Sequence, residues 1–248
     1  MIVRFLAWIP TIPFLISFGL TLVVFDLAGR AVRPFSLRGF EYVMAALQRT
    51  LTSLFVLCGT RLDLERPPTI LPHTGYVIIA NHQSLFDIAI IGGHLFSNFP
   101  KYVAKKELGR GIPLISLNLK RGGNALIDRK DRRQSLRAIK EMATTAQERG
   151  VSVVIFPEGT RSRDGALGEF KRAGSVMLLR SADQLPVVPM AIDGAWRLLA
   201  HNLLPVPWGV NVRVRFGDPI PRTPDDADTV LDRAEAFITQ TLATWRTP

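Results

Sequence analysis

The stretch YVIIANHQSLFDIAIIGGHLF, Tyr76 to Phe96, decides the fold. Its first five residues, Tyr76 to Ala80, form an apolar, β-branched run that reads as a short buried strand. Asp87 to Phe96 reads as a helix, and the polar turn Asn81–Ser84 lies between the two. A buried strand that turns at once into a helix is the opening of a layered α/β unit.

The same alternation continues downstream. Lys101–Ala104 reads as a strand, and Gln134–Arg149 as a helix with Leu136, Ile139, Ala143 and Ala146 on one face and Gly150 as its stop. Val151–Phe156 is a second buried strand, Lys171–Arg180 a helix, and Val187–Ile192 another strand. Val210–Phe216 alternates strictly, as a half-exposed edge strand does, and Thr223–Trp245 is helical. The turn holds a histidine five residues before an aspartate, His82 and Asp87. On one continuous helix that spacing would set the side chains about 140° apart. Ser84, three residues before Asp87, matches a capping-box helix start. With Ser84 as N-cap, Asp87 sits in the first helical turn, where side chains lean back toward the amino end and reach His82 in the loop. A carboxylate held there fixes the imidazole tautomer and leaves the other ring nitrogen as a base.

Composition bounds the setting. The 248 residues carry a net charge of +10 and a pI near 10.4, with mean hydropathy +0.18. Oily and basic together point to an anionic membrane surface before nucleic acid. Residues 101–140 hold twelve Lys/Arg against Glu107, Asp128 and Asp131, yet Tyr102 is the one aromatic among them, so the window does not read as a nucleic-acid surface. Cys58, the single cysteine, excludes an internal disulfide and a multi-cysteine metal site. His73, His94 and His201 lack metal-ligand spacing, so no metal is expected.

Phe5 to Phe25 is uncharged over 21 residues, enough to cross a bilayer core, with Arg4 before it and Arg30, Arg33 and Arg38 after. The absence of a small-residue cleavage site and the apolar segment that follows speak against a signal peptide. That next segment repeats Phe40, Val43, Met44, Leu47, Leu51, Leu54, Phe55 and Cys58 along one helical stripe, with Glu41, Gln48 and Thr52 opposite. Two arrangements fit: a single span with its arginine-rich side cytoplasmic, or a monotopic hairpin in one leaflet. Pro10 and Pro13 are expected to bend or delay the first helix. Residues 1–60 are thus expected to form a membrane element and 61–248 an α/β domain.

Four blocks, in order, resemble the glycerolipid acyltransferases of the 1-acyl-glycerol-3-phosphate acyltransferase type. NHQSLFD, Asn81–Asp87, is similar to the family's NHxSxxD. The second block runs from Lys105 through Glu107, Leu108 and Pro113 to Ile127–Arg129, with Ser116 where a glycine is usual. FPEGTRS, Phe156–Ser162, is the third and VVPMAI, Val187–Ile192, the fourth, with FKRAG, Phe170–Gly174, between them. The resemblance implies a mixed, largely parallel sheet flanked by helices, with an N-terminal two-helix membrane hairpin. It implies acyl transfer from acyl-CoA or acyl carrier protein, as co-substrate rather than cofactor, to a lyso-lipid hydroxyl at a bacterial inner membrane, the catalytic domain facing the cytoplasm. His82 and Asp87 would be catalytic. Glu158, Gly159, Thr160 and Arg161 would hold the glycerol-phosphate part, with Arg129, Lys105 and Lys171 as further cations. Pro189 would shape the wall near the acyl chain. Another lyso-lipid acceptor, such as a lyso-ornithine lipid or a lysophospholipid, and a non-catalytic membrane-binding module are the alternatives.

Overall fold

The computed structural model describes residues 6–199, 204–223 and 226–247. His201 lies outside them. Among the described residues seven strands form one sheet: β1 (Arg61–Glu65), β2 (Val77–Ala80), β3 (Lys101–Lys105), β4 (Ala125–Ile127), β5 (Val153–Ile155), β6 (Val187–Asp193) and β7 (Asn211–Phe216). Their order is β1-β7-β6-β2-β5-β3-β4, parallel at every pairing except β6 with β7. The sheet is therefore mixed and largely parallel. The central strands β2, β5 and β6 are buried on both faces, so they carry continuous apolar runs rather than alternation.

Helices cover both faces. On one lie α1 (Trp8–Val32), α2 (Leu37–Ser53) and α3 (Asp87–His94). On the other lie α5 (Arg132–Arg149), α6 (Arg172–Ser181) and α7 (Ala227–Arg246), with the short α4 (Ile115–Arg121) near the β4 end of the sheet. Asp131 caps α5 by accepting from the Gln134 amide at 2.9 Å, and Gly150, at φ 61°, ends it in the left-handed conformation that glycine tolerates.

Three expectations are corrected. Val210–Phe216 is not an edge strand: β1 pairs outside it, and the alternation of β7 arises because only one of its faces is deeply buried. The helix after the His82 loop starts at Asp87, not behind a Ser84 cap; the Ser84 hydroxyl accepts from the Phe86 amide at 3.3 Å instead. Glu41 and Gln48 are not on a solvent-facing side of α2. Both are buried, because α2 is sandwiched between α1 and the α/β body.

Glu41 is the centre of that second contact. Its carboxylate binds the Lys101 ammonium at 2.5 Å and the Arg149 guanidinium at 2.7 Å, with Arg38 at 3.4 Å. Burial pushes the Lys101 ammonium down to about 8 against the opposing pull of Glu41. Gln48 packs where Gly92 leaves no side chain, since a Cβ there would overlap its amide. These contacts bring α2 close against α3.

Helix α1 is packed along its length. The Val206 amide donates to the Thr11 hydroxyl at 3.0 Å, Phe14 and Phe18 meet Phe86 edge-on, and Asp26 accepts from the Leu114 amide at 2.6 Å. Pro13 lies inside the helix without ending it. The outward face remains apolar: Ile9, Ile12, Ile16, Leu20, Val23, Val24 and Leu27 are exposed.

A buried ion cluster has a testable signature. Glu41→Ala strands Lys101 and Arg149 without a counter-charge and should cost about 3–5 kcal/mol in urea unfolding. The double substitution Glu41→Leu with Lys101→Met should recover most of that loss; equal destabilisation by both variants would contradict the cluster's role.

Candidate active site

The site lies beyond the carboxyl ends of the parallel strands, where open α/β sheets leave a crevice between loops. Strand β2 delivers Asn81 and His82, and its neighbour β5 delivers Phe156–Arg161. Asn81 clamps the end of β2 to β6: its side-chain amide donates to the Ile192 carbonyl and its carbonyl oxygen accepts from the Ile192 amide, both at 2.8 Å. The next residue is therefore held in place on leaving the sheet.

His82 is fixed at three levels. Its backbone amide donates to Glu158 Oε1 at 2.7 Å, and its carbonyl accepts from the Ser162 amide at 2.8 Å. Its ring stacks on Phe156, with centroids 4.0 Å apart and planes 14° from parallel. Its Nδ1 lies 2.8 Å from Asp87 Oδ2. Asp87 is fully buried and the same oxygen accepts from the Gln83 and Ser84 amides at 2.7 and 2.8 Å. An ionised carboxylate is acceptor-only, so these donors define Nδ1 as the protonated ring nitrogen. In the neutral ring, that tautomer leaves the lone pair on Nε2.

His82 borders a cleft of about 450 Å³ between α5 and α6. The interior wall is apolar, with Val103, Ile127, Leu136, Ile139 and Ile155, and cations stand around it: Lys105, Arg129, Arg132 and Lys171. Gly159 also lines the cleft, at φ 65° and beside the Lys171 side chain, so it serves both the turn and the close approach. A volume of this size suits a small molecule or one lipid headgroup with part of a chain.

The remaining site candidates fall elsewhere. Glu158 is buried, and its two carboxylate oxygens take the His82 and Gly168 amides, both at 2.7 Å. Burial raises its pKa while those two backbone donors oppose the rise. It does not line the cleft, and a carboxylate would repel a phosphate; Glu158 positions the His82 loop. Thr160 and Arg161 are exposed on the loop beyond Gly159 and are not part of the cleft wall. Pro189 lies buried in β6, paired with Ile79, and faces Gly217 on the side of Phe237 in α7. That places it in the core, away from the residues that line the cleft. Ser116, in place of the usual glycine, bonds the Leu108 carbonyl and the Ile112 amide, both at 3.0 Å, and so closes its own turn.

Sequence reasoning did not assign roles to Asn81, Phe156 or Gln83. All three lie in the quoted blocks, and an amide following a buried strand was the available signal for Asn81. Behind the loops, Arg246 of α7 binds Asp193 at 2.6 Å and the Gly165 carbonyl at 2.7 Å. The Gln83 amide reaches the same two partners at 3.4 Å. Burial pushes the Cys58 thiol up to about 11, as befits a packed, unreactive group.

Residues 62–193 match the acyltransferase family model. The chain is 34% identical over 151 residues to a 1-acyl-sn-glycerol-3-phosphate acyltransferase of Cocos nucifera, covering 60% of this chain and 46% of that protein. It is 28% identical over 203 residues to the 1-acyl-sn-glycerol-3-phosphate acyltransferase alpha of Homo sapiens, covering 77% of this chain and 66% of that one. The chain thus spans about half the length of the coconut relative. Its fold matches the crystal structure of the 1-acyl-sn-glycerophosphate (LPA) acyltransferase, PlsC, from Thermotoga maritima, with TM-score 0.76, 22% identity and 98% of each chain covered. The block order, the layered fold and the matched 62–193 segment place this chain in the acyltransferase family.

Proposed function

We propose that the chain transfers a fatty acyl group from an acyl thioester to the free hydroxyl of 1-acyl-sn-glycerol-3-phosphate, giving phosphatidic acid. The observation that carries the proposal is the Asp87-anchored imidazole beside a cleft that is apolar within and cationic around. A lyso-lipid phosphate presents the same two chemistries: a chain for the apolar wall and an anion for Lys105, Arg129 and Lys171.

The step needs little beyond these groups. An alcohol is a poor nucleophile until its proton is accepted as it attacks. His82 Nε2 takes that proton while the alcohol oxygen bonds to the thioester carbonyl carbon. Asp87 stabilises the imidazolium that forms, as does the face of Phe156. The carbon–sulfur bond then breaks, and the proton passes from His82 to the departing thiolate. A free thiol has a pKa of about 8.5, so the leaving group demands little stabilisation. The donor is acyl-CoA or an acyl carrier protein, and each fits the same balance of bonds.

We further infer that α1 and α2 seat the protein in one leaflet. A free-standing span meets lipid on all sides, whereas α1 is docked on the body from Thr11 to Gly29 and offers a single apolar face. That favours the monotopic hairpin over the single span.

Three substitutions test the chemistry. His82→Ala should lower acyl transfer by at least about 10²–10⁴-fold with vesicle binding and folding unchanged, measured by product mass from labelled acyl-CoA. Near-normal turnover would remove the base from the mechanism. Arg129→Ala and Lys171→Ala should each raise KM for 1-acyl-sn-glycerol-3-phosphate roughly 10-fold or more, with a smaller change in kcat. The same variants should leave KM unaltered for an unphosphorylated monoacylglycerol. A lyso-lipid panel on the unmodified enzyme separates the lyso-ornithine and lysophospholipid alternatives, since the proposal predicts the phosphomonoester acceptor to be preferred.

A further inference from the structure

A second cavity lies apart from the His82 cleft and shares no residue with it. It measures about 710 Å³ and sits where the α1–α2 turn meets the segment from Gly109 to Arg121. Its cations are Arg30 and Arg33 from the hairpin and Arg110, Lys120 and Arg121 from the α/β body, and among the described residues no acidic one lines it. Asp26, one helical turn before Arg30, is occupied by Arg30 at 2.7 Å and by the Leu114 amide at 2.6 Å. That ion pair largely cancels Arg30, leaving four cations without an acid among the cavity's own residues. The two walls are tied together, since the Arg33 guanidinium donates to the Arg121 carbonyl at 3.1 and 3.2 Å.

The cavity's position says what it meets. Leu20, Val23, Val24 and Leu27 are exposed on α1 at steps of three and four, and Arg30 continues that stripe one turn on. Phe35, 90% exposed, follows at the tip of the hairpin. An apolar helix face that ends in cations, with an aromatic at the boundary, is the profile of an element lying at the headgroup level of a bilayer. Cations contributed by a separate part of the chain face the same place.

We propose that this cavity is a binding site for the phosphate of an anionic membrane phospholipid, distinct from the acceptor site, with the lipid's chains lying along the exposed stripe of α1. It rests on the membrane-association reading above and adds a specific contact to it. The body, through Arg110, Lys120 and Arg121, then grips the lipid surface directly rather than hanging from the hairpin. That fixes the orientation of the domain over the leaflet from which its acceptor comes.

The test compares binding of the full chain to vesicles of phosphatidylcholine alone and of phosphatidylcholine with roughly one third phosphatidylglycerol. Arg110→Ala with Lys120→Ala should weaken binding to the anionic vesicles about 25-fold, near fivefold per cation, and leave binding to neutral vesicles unchanged. Arg180→Ala with Arg233→Ala removes the same charge from the opposite helical layer and should lose much less. Acyl transfer in detergent should persist in both double variants, which shows that they fold. Equal losses by the two pairs, or no loss by the first, would overturn the site. So would displacement of the protein from anionic vesicles by millimolar glycerol phosphate, which would mark the cavity as a soluble-anion site. Failure of the unmodified chain to bind neutral vesicles would instead count against the hairpin reading, leaving the comparison of the two pairs on anionic vesicles to judge the cavity.

Discussion

Burying a carboxylate is costly unless donors meet it, and Asp87 draws its donors, all on Oδ2, from the loop that it organises. One oxygen collects the Gln83 and Ser84 amides and the His82 ring. The turn between β2 and α3 is therefore shaped around this charge, and the imidazole is aimed as a consequence. Glu158 does the complementary work from the neighbouring strand, holding the His82 amide and the Gly168 amide with its two oxygens. Two buried acids, neither lining the cleft, fix the histidine that does. Because β2 and β5 are adjacent and parallel, their loops emerge side by side, and the sheet topology itself brings the two acids together.

The sheet also explains how oily and charged features coexist in one chain. Its central strands are apolar on both faces because helices cover both. Basic residues gather in two places, around the cleft above β3, β4 and β5 and around the cavity beside the hairpin. The dense basic window from residue 101 to 140 supplies both, with Lys105, Arg129 and Arg132 on the first and Arg110, Lys120 and Arg121 on the second. A single run of sequence charge thus divides between two places of different character.

Much of the fold was legible in the residues. Strands β2, β5 and β6 are short apolar runs with β-branched residues, and α5 has clear helical periodicity with an aspartate and a glycine at its ends. The His82–Asp87 contact followed from spacing, although the mechanism of the turn differed: the aspartate reaches back to two amides, whereas the serine does not cap. Strand β1 was not legible, because RLDLE carries three charges and earns its place by pairing with β7. Strand β4 is three residues long, below the length at which periodicity has meaning. Glu41 was misplaced for a different reason. An amphipathic pattern shows which side of a helix is oily but not what packs on the polar side, and here Lys101 and Arg149 do. Glu158, Thr160, Arg161 and Pro189 show the limit of block resemblance: it marks residues of one neighbourhood without separating those that face the cleft from those that hold its walls.

The central claim is that Asp87 holds the proton of His82 on Nδ1 and leaves Nε2 free to act as base. The most direct measurement is the ring-nitrogen NMR spectrum of the protein labelled with ¹⁵N-histidine, assigned by comparison with a His82→Ala variant. The account predicts that neutral His82 carries its proton on Nδ1, and that Asp87→Asn abolishes this preference. A neutral ring protonated on Nε2 in the unaltered protein would contradict it.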